Sequence, residues 1–181
     1  MTQSFIHMYK LSSDCLINAM KELVRLISID GMSYRTDMRV MELMHNSKLN
    51  NNLSIASVVY NEKMEIINKR AKSVMSINNY ISSSIDYLLK MIEIAFEDTS
   101  LVQEVSLCHK HINAISDFVN KDYLIKDISI PGISQRLLLF MLRYENKKNL
   151  PQFKLILDRI SRLCSILEKP ESETQVPVPC V

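Results

Sequence analysis

The sequence predicts an all-α fold, an antiparallel bundle of six to seven helices with room for one long protruding helix or coiled-coil hairpin. Three observations predict it. The 181 residues include only 2 glycines, Gly31 and Gly132, and 5 prolines, where average usage would supply about a dozen glycines. From Ser33 to Ile130 neither residue occurs, and sheet folds normally build their turns from these two. Along that stretch apolar residues recur at steps of three and four, which is the helical period.

The first helix is expected from a Ser12/Ser13/Asp14 cap to Ile29, with Leu16, Met20, Leu23 and Ile27 on its inner stripe. Asp30-Gly31 reads as its end. A shorter helix follows from about Thr36 to His45 with Met38, Met41 and Met44, and Asn50-Asn51-Asn52 reads as a turn.

The strongest pattern comes next. Ala56, Tyr60, Met64, Ile67, Ala71, Val74, Ile77, Ile81, Ile85, Leu88, Ile92 and Ala95 make eleven steps over 39 residues, about 3.5 residues per step and close to a heptad seam. One helix or two satisfy it equally in period. The serines and asparagines near Ser76–Asn79 and Ser82–Ser84 favour a break, because their side chains compete for backbone hydrogen bonds. If the segment is continuous, it is too long for a bundle of this size to cover.

Thr99-Ser100 with Gln103 reads as a capping box for a helix whose stripe is Val102, Val105, Cys108, Ile112, Ile115 and Val119. Tyr123 to Ile133 contains Pro131-Gly132 and reads as an apolar loop or one short strand. Ser134 is expected to cap a helix holding Leu137-Leu138-Leu139-Phe140-Met141-Leu142, apolar on every face and hence the most buried. Asn149 and Pro151 open the last helix, lined by Phe153, Ile156, Ile160, Leu163 and Leu167. Residues 1–169 are thus read as one helical domain, and 170–181 as a tail of disordered composition.

Catalytic, cofactor and metal sites are expected to be absent. Phosphate-cradling loops, dinucleotide fingerprints and serine nucleophile elbows all need clustered glycines. Glu42-x-x-His45 is half of a di-iron carboxylate pattern without its second half. Cys108 and His111 stand one turn apart, but no second Cys/His pair accompanies them; the simpler reading is a core cysteine beside an exposed histidine. Cys15, Cys108, Cys164 and Cys180 form no CxxC pair, which fits a reducing compartment. No apolar run reaches about 18 residues and the N-terminus lacks a signal-peptide core, so an intracellular location is expected.

Charge is uneven. Ser134 to Lys169 carries eight cations against three acids, a net +5 within an overall +2. Lys147, Lys148, Lys154, Arg159 and Arg162 form a candidate basic contact surface for nucleic acid or an acidic protein. Eleven methionines suit core filling or an adaptable groove. Together these point to a non-enzymatic interaction module, an adaptor or complex subunit acting through helix faces, with self-association as an option. Its candidate seam is Tyr60, Met64, Ile67, Val74, Ile81, Ile85 and Leu88. Two alternatives remain: a nucleic-acid-associated helical protein, and a compact viral-style regulator of host signalling or cell death, analogous to the Bcl-2 class in size and helicity but without its signature residues. Heavy isoleucine and asparagine usage is in keeping with an AT-rich viral, yeast or bacterial genome.

Overall fold

The computed structural model describes residues 2–46, 53–97, 102–120 and 130–168. Every regular element among them is helical: α1 Gln3–Asn46, α2 Leu53–Glu97, α3 Val102–Val119, α4 Ile133–Arg143 and α5 Pro151–Leu167, with a 3-10 turn Glu145–Asn149 before α5. The described residues therefore hold five α-helices, not six or seven.

The difference arises at the N-terminus, where the two expected helices are one. α1 runs 44 residues without interruption, about 66 Å. Ser12, expected as a cap, lies inside it with its hydroxyl turned toward α2, and Gly31 keeps helical backbone without positive φ. A lone glycine in a helix interior costs only about 1 kcal/mol relative to alanine. Asp30 accepts a hydrogen bond from Arg70 Nε at 3.0 Å across the helix pair, so its side chain is not spent on ending the helix.

α2 is likewise continuous over 45 residues, through both serine- and asparagine-rich stretches. For the second stretch the reason is visible at Ser84, whose hydroxyl bonds the Ser12 carbonyl at 2.9 Å on the facing helix, as Ser73, just before the first stretch, bonds Glu22 Oε2 at 3.2 Å. Bonds that would compete with the helix locally are made across the pair instead.

α1 and α2 pair antiparallel along their length. Partners rise on one helix as they fall on the other, from Ser12–Ser84 through Glu22–Ser73 and Asp30–Arg70 to Asp37–Lys63. The inner stripe of α1 is Phe5, Ser12, Leu16, Ala19, Leu23 and Leu26, all buried. This corrects the expected stripe, because Met20 and Ile27 are exposed.

The hydrophobic core lies at one end of this hairpin. There Ile77 to Phe96 of α2 packs with α1 and with α3, α4 and α5. Phe96 is the hub, 4.3 Å from Phe153, 5.2 Å from Tyr144 and 6.5 Å from Phe140 between ring centroids. Arg136 clamps α4 to α2 through Asp86 (2.5 Å) and Ser82 (2.7 Å).

α4 begins one residue before the expected Ser134 cap. Gly132 is its N-cap, left-handed at φ 71°, a conformation glycine adopts without the Cβ penalty. Nor is α4 the most buried helix: Ile133, Leu137 and Phe140 are buried, but Leu139 and Leu142 are 59% and 67% exposed. A helix of 11 residues at one side of a small core has too few neighbours to cover all its faces. α5 keeps its expected stripe, with Pro151 in its first turn, Phe153, Ile156, Ile160 and Leu163 buried and Leu167 half-buried, but Leu150 is its N-cap and Asn149 belongs to the 3-10 turn before it. The expected Asn50–Asn52 turn, the Thr99-Ser100 cap, the loop up to residue 129, Cys180 and the 170–181 tail lie outside the described residues.

Candidate interaction surface

Two regions combine residues in ways that bear on function. The first is a buried polar cluster where α3 crosses the α1–α2 groove. Ser12 Oγ lies 2.6 Å from the Ser84 carbonyl, 3.0 Å from Ser84 Oγ and 2.6 Å from His111 Nε2. Tyr9 tilts against the imidazole at 5.6 Å between centroids. The serines are wholly enclosed and His111 is 5% exposed, so the expectation of an exposed histidine is corrected. Burial pushes the His111 pKa down to about 4, and the ring is neutral at physiological pH.

A serine at hydrogen-bond distance from a histidine has the outline of nucleophile and base, yet the proton arrangement runs the other way. Ser84 Oγ donates to the Ser12 carbonyl and Ser12 Oγ donates to the Ser84 carbonyl. With its one proton so placed, Ser12 accepts from His111 Nε2–H, the tautomer that satisfies all three groups. The cluster thus fastens three helices by mutual satisfaction of buried polar groups. Sequence reasoning missed it by treating Ser12 as a cap. The available signal was register: Ser12 and Ser84 stand on the apolar stripes of their helices, and Glu104, Cys108, His111, Ile115 and Phe118 follow steps of four and three.

Cys108 is buried beside this cluster, and desolvation pushes its thiol up to about 12. Among the described residues no group of three His, Cys, Asp or Glu side chains is placed to hold a metal ion. Glu42 is exposed on α1.

Of the candidate basic residues, Lys147 and Lys148 lie on the 3-10 turn and the other three on α5. Lys147 Nζ donates to the Phe96 carbonyl at 3.3 Å, near the C-terminus of α2, and Lys148 pairs with Glu145 at 3.2 Å. Arg159 donates to Asn113. Lys154 and Arg162 are exposed.

The second region is the half of the hairpin beyond α3. None of residues 30–42 or 57–72 is buried. The candidate seam divides there: Ile81, Ile85 and Leu88 are core, Val74 is half-buried, and Ile67, Met64 and Tyr60 are exposed at 49%, 38% and 65%. α1 carries a matching exposed stripe. Ile17, Met20, Val24 and Ile27 continue through Gly31 to Tyr34, Met38 and Met41, with steps alternating three and four as in a heptad seam.

On each helix the exposed stripe sits one residue after the inner one, as Leu23/Val24 and Leu26/Ile27 do on α1 and Ile66/Ile67 and Arg70/Ala71 do on α2. That offset is a rotation of about 100° in each helix's own sense. Because the helices are antiparallel, the two rotations bring both stripes to the same side of the hairpin. Its floor holds the interhelix ion pairs Asp30–Arg70 at 3.0 Å and Asp37–Lys63 at 2.7 Å. At the inner end, a cavity of about 410 Å³ opens between α2 and Pro131, lined by Arg70, Ala71, Val74, Met75, Asn78 and Asn79. The Asn78 Oδ1 atom there is buried without a hydrogen-bond partner among the described residues.

Among the described residues the protein is all-helical, with one apolar side of a long hairpin uncovered. No described helix is long and apolar enough to cross a membrane. Comparison with protein-family models, curated proteins and solved structures finds no match.

Proposed function

We propose that this chain is a non-enzymatic helical interaction protein, an adaptor or complex subunit, which binds protein partners along the uncovered side of the α1–α2 hairpin. One observation carries the reading: two helices extend past the core with no buried residue between positions 30–42 and 57–72, while keeping apolar stripes in helical register on one side. Helices in water draw most of their stability from packing an apolar face, and contiguous exposed apolar surface marks interaction sites. The methionines Met20, Met38, Met41, Met64 and Met75 suit such a surface, since the unbranched thioether adapts to the partner's shape.

The test is proximity labelling in the native source, comparing the wild-type chain with Val24→Glu/Ile67→Glu. Both positions are exposed, so the core should be unaffected. The reading expects the set of labelled proteins, other copies of the chain included, to be lost in the variant. An unchanged set would sink it.

A further inference from the structure

We infer that the occupant of the uncovered hairpin side is a second copy of this chain, the two hairpins closing face to face into a four-helix bundle; this rests on the interaction reading above. The cover is needed whenever the chain is folded, because positions 30–42 and 57–72 contain no buried residue to hold them. A partner that is always present at the moment of folding is another copy.

The pattern fits a pair of helices as the cover. The α1 stripe keeps the three-four alternation from Ile17 to Met41, and Tyr60, Met64, Ile67 and Ala71 keep it on α2. Each is the seam a helix presents to another helix. Two such seams side by side leave two grooves, and an identical pair of helices fills both, completing a bundle in which every helix has an inward stripe.

Size agrees. Ile17 to Met41 spans about 36 Å and Tyr60 to Met75 about 23 Å, so with helices about 10 Å wide the footprint is about 600 Å² per copy and about 1,200 Å² for the pair. That stands at the lower edge of the range of specific interfaces. Electrostatics permit it as well: Asp30 and Asp37 are matched within each hairpin by Arg70 and Lys63, so the floor brings no unmatched charge against its copy. The cavity beside Ala71, Val74 and Met75 offers a hole at the inner end of the face, where a side chain from the second copy enters as a knob.

Sedimentation velocity on the full chain over a series of micromolar concentrations tests the inference. The expected species is a dimer of about 42 kDa, twice the 21.0 kDa chain. Val24→Glu/Ile67→Glu is expected to halve that mass and to lower the helical circular dichroism by no more than the share of the hairpin beyond the core, whereas Leu139→Glu, exposed on α4 and not on the hairpin, leaves the dimer intact. A wild-type chain that stays at 21 kDa throughout, or a double variant that stays dimeric, overturns the proposal. Should the wild type be monomeric while the same double variant loses its labelled proteins in the native source, self-pairing falls and the interaction reading stands. Should labelling also be unchanged, both fall.

Discussion

Acidification reads out the His111 cluster directly. In the folded chain burial holds the imidazole at about 4, against about 6.5 for an exposed histidine. A folded-state pKa below the unfolded one means that the unfolded chain takes up the proton first. The contribution is therefore fully present above about pH 6.5 and is lost as pH falls toward about 4. The full difference of about 2.5 units corresponds to about 3 kcal/mol, and the part lost between pH 7 and pH 5 is about 2 kcal/mol. Urea denaturation followed by circular dichroism at fixed protein concentration, at steps between pH 7 and pH 5, measures it before most carboxylates titrate. His111→Gln keeps an N–H donor for Ser12 but does not titrate, so its stability should start lower and vary much less over that window. A residual slope is expected from His109, which burial and the charge of Arg159 also push down. If wild type and His111→Gln lose stability in parallel, His111 is not buried neutral as described and the account of the cluster is wrong.

Other substitutions follow from the same geometry. Gly31→Ala should raise stability by about 1 kcal/mol in thermal unfolding, since nothing lies within 4 Å of an added Cβ and the backbone is helical. Gly132→Ala has equal space but a φ of 71°, so it should lower stability by about 1–2 kcal/mol; a gain there would mean that the turn before α4 is not left-handed. Phe96→Ala removes the ring around which Phe140, Tyr144 and Phe153 gather and should cost about 3–5 kcal/mol in denaturant titration. Cys108, buried and with its thiol pushed up to about 12, should react with thiol reagents only through unfolding, at a rate that rises with urea. Half-buried Cys15 should be labelled in the native state.

The helical class was legible because it rests on what the chain lacks: 98 residues without glycine or proline have no routine means of building sheet turns. The number of helices was not, because the punctuation signals are local preferences of about 1 kcal/mol and α1 and α2 override them with cross-helix bonds. Ser12 and Ser84 read as interruptions when each helix is considered alone, and Ser73 carries no signal at all. Placed opposite one another they are the means of pairing. A serine at a stripe position carries that information only if the facing helix is known, which one sequence without its pairing register does not supply.

The same ambiguity explains the division of the seam. A stripe of period 3.5 states that something packs against a helix, not which element does so, and α1 and α2 each carry two such stripes about 100° apart. Sequence reading merged them on α1, joining Leu16 and Leu23 with Met20 and Ile27, whereas on α2 it followed a single stripe from Tyr60 and Ile67 to Ile81 and Leu88 that is covered only at its core end. The structure separates them by burial: Leu16, Leu23, Ile81 and Leu88 are enclosed, whereas Met20, Ile27, Tyr60 and Ile67 are open. One partner helix accounts for one stripe on each helix, and α3 reaches only the end marked by Ser12 and Ser84. The second stripe is thus apolar surface in helical register that the described fold leaves unused, and the double charge substitution at Val24 and Ile67 separates a surface that binds from one that merely remains exposed.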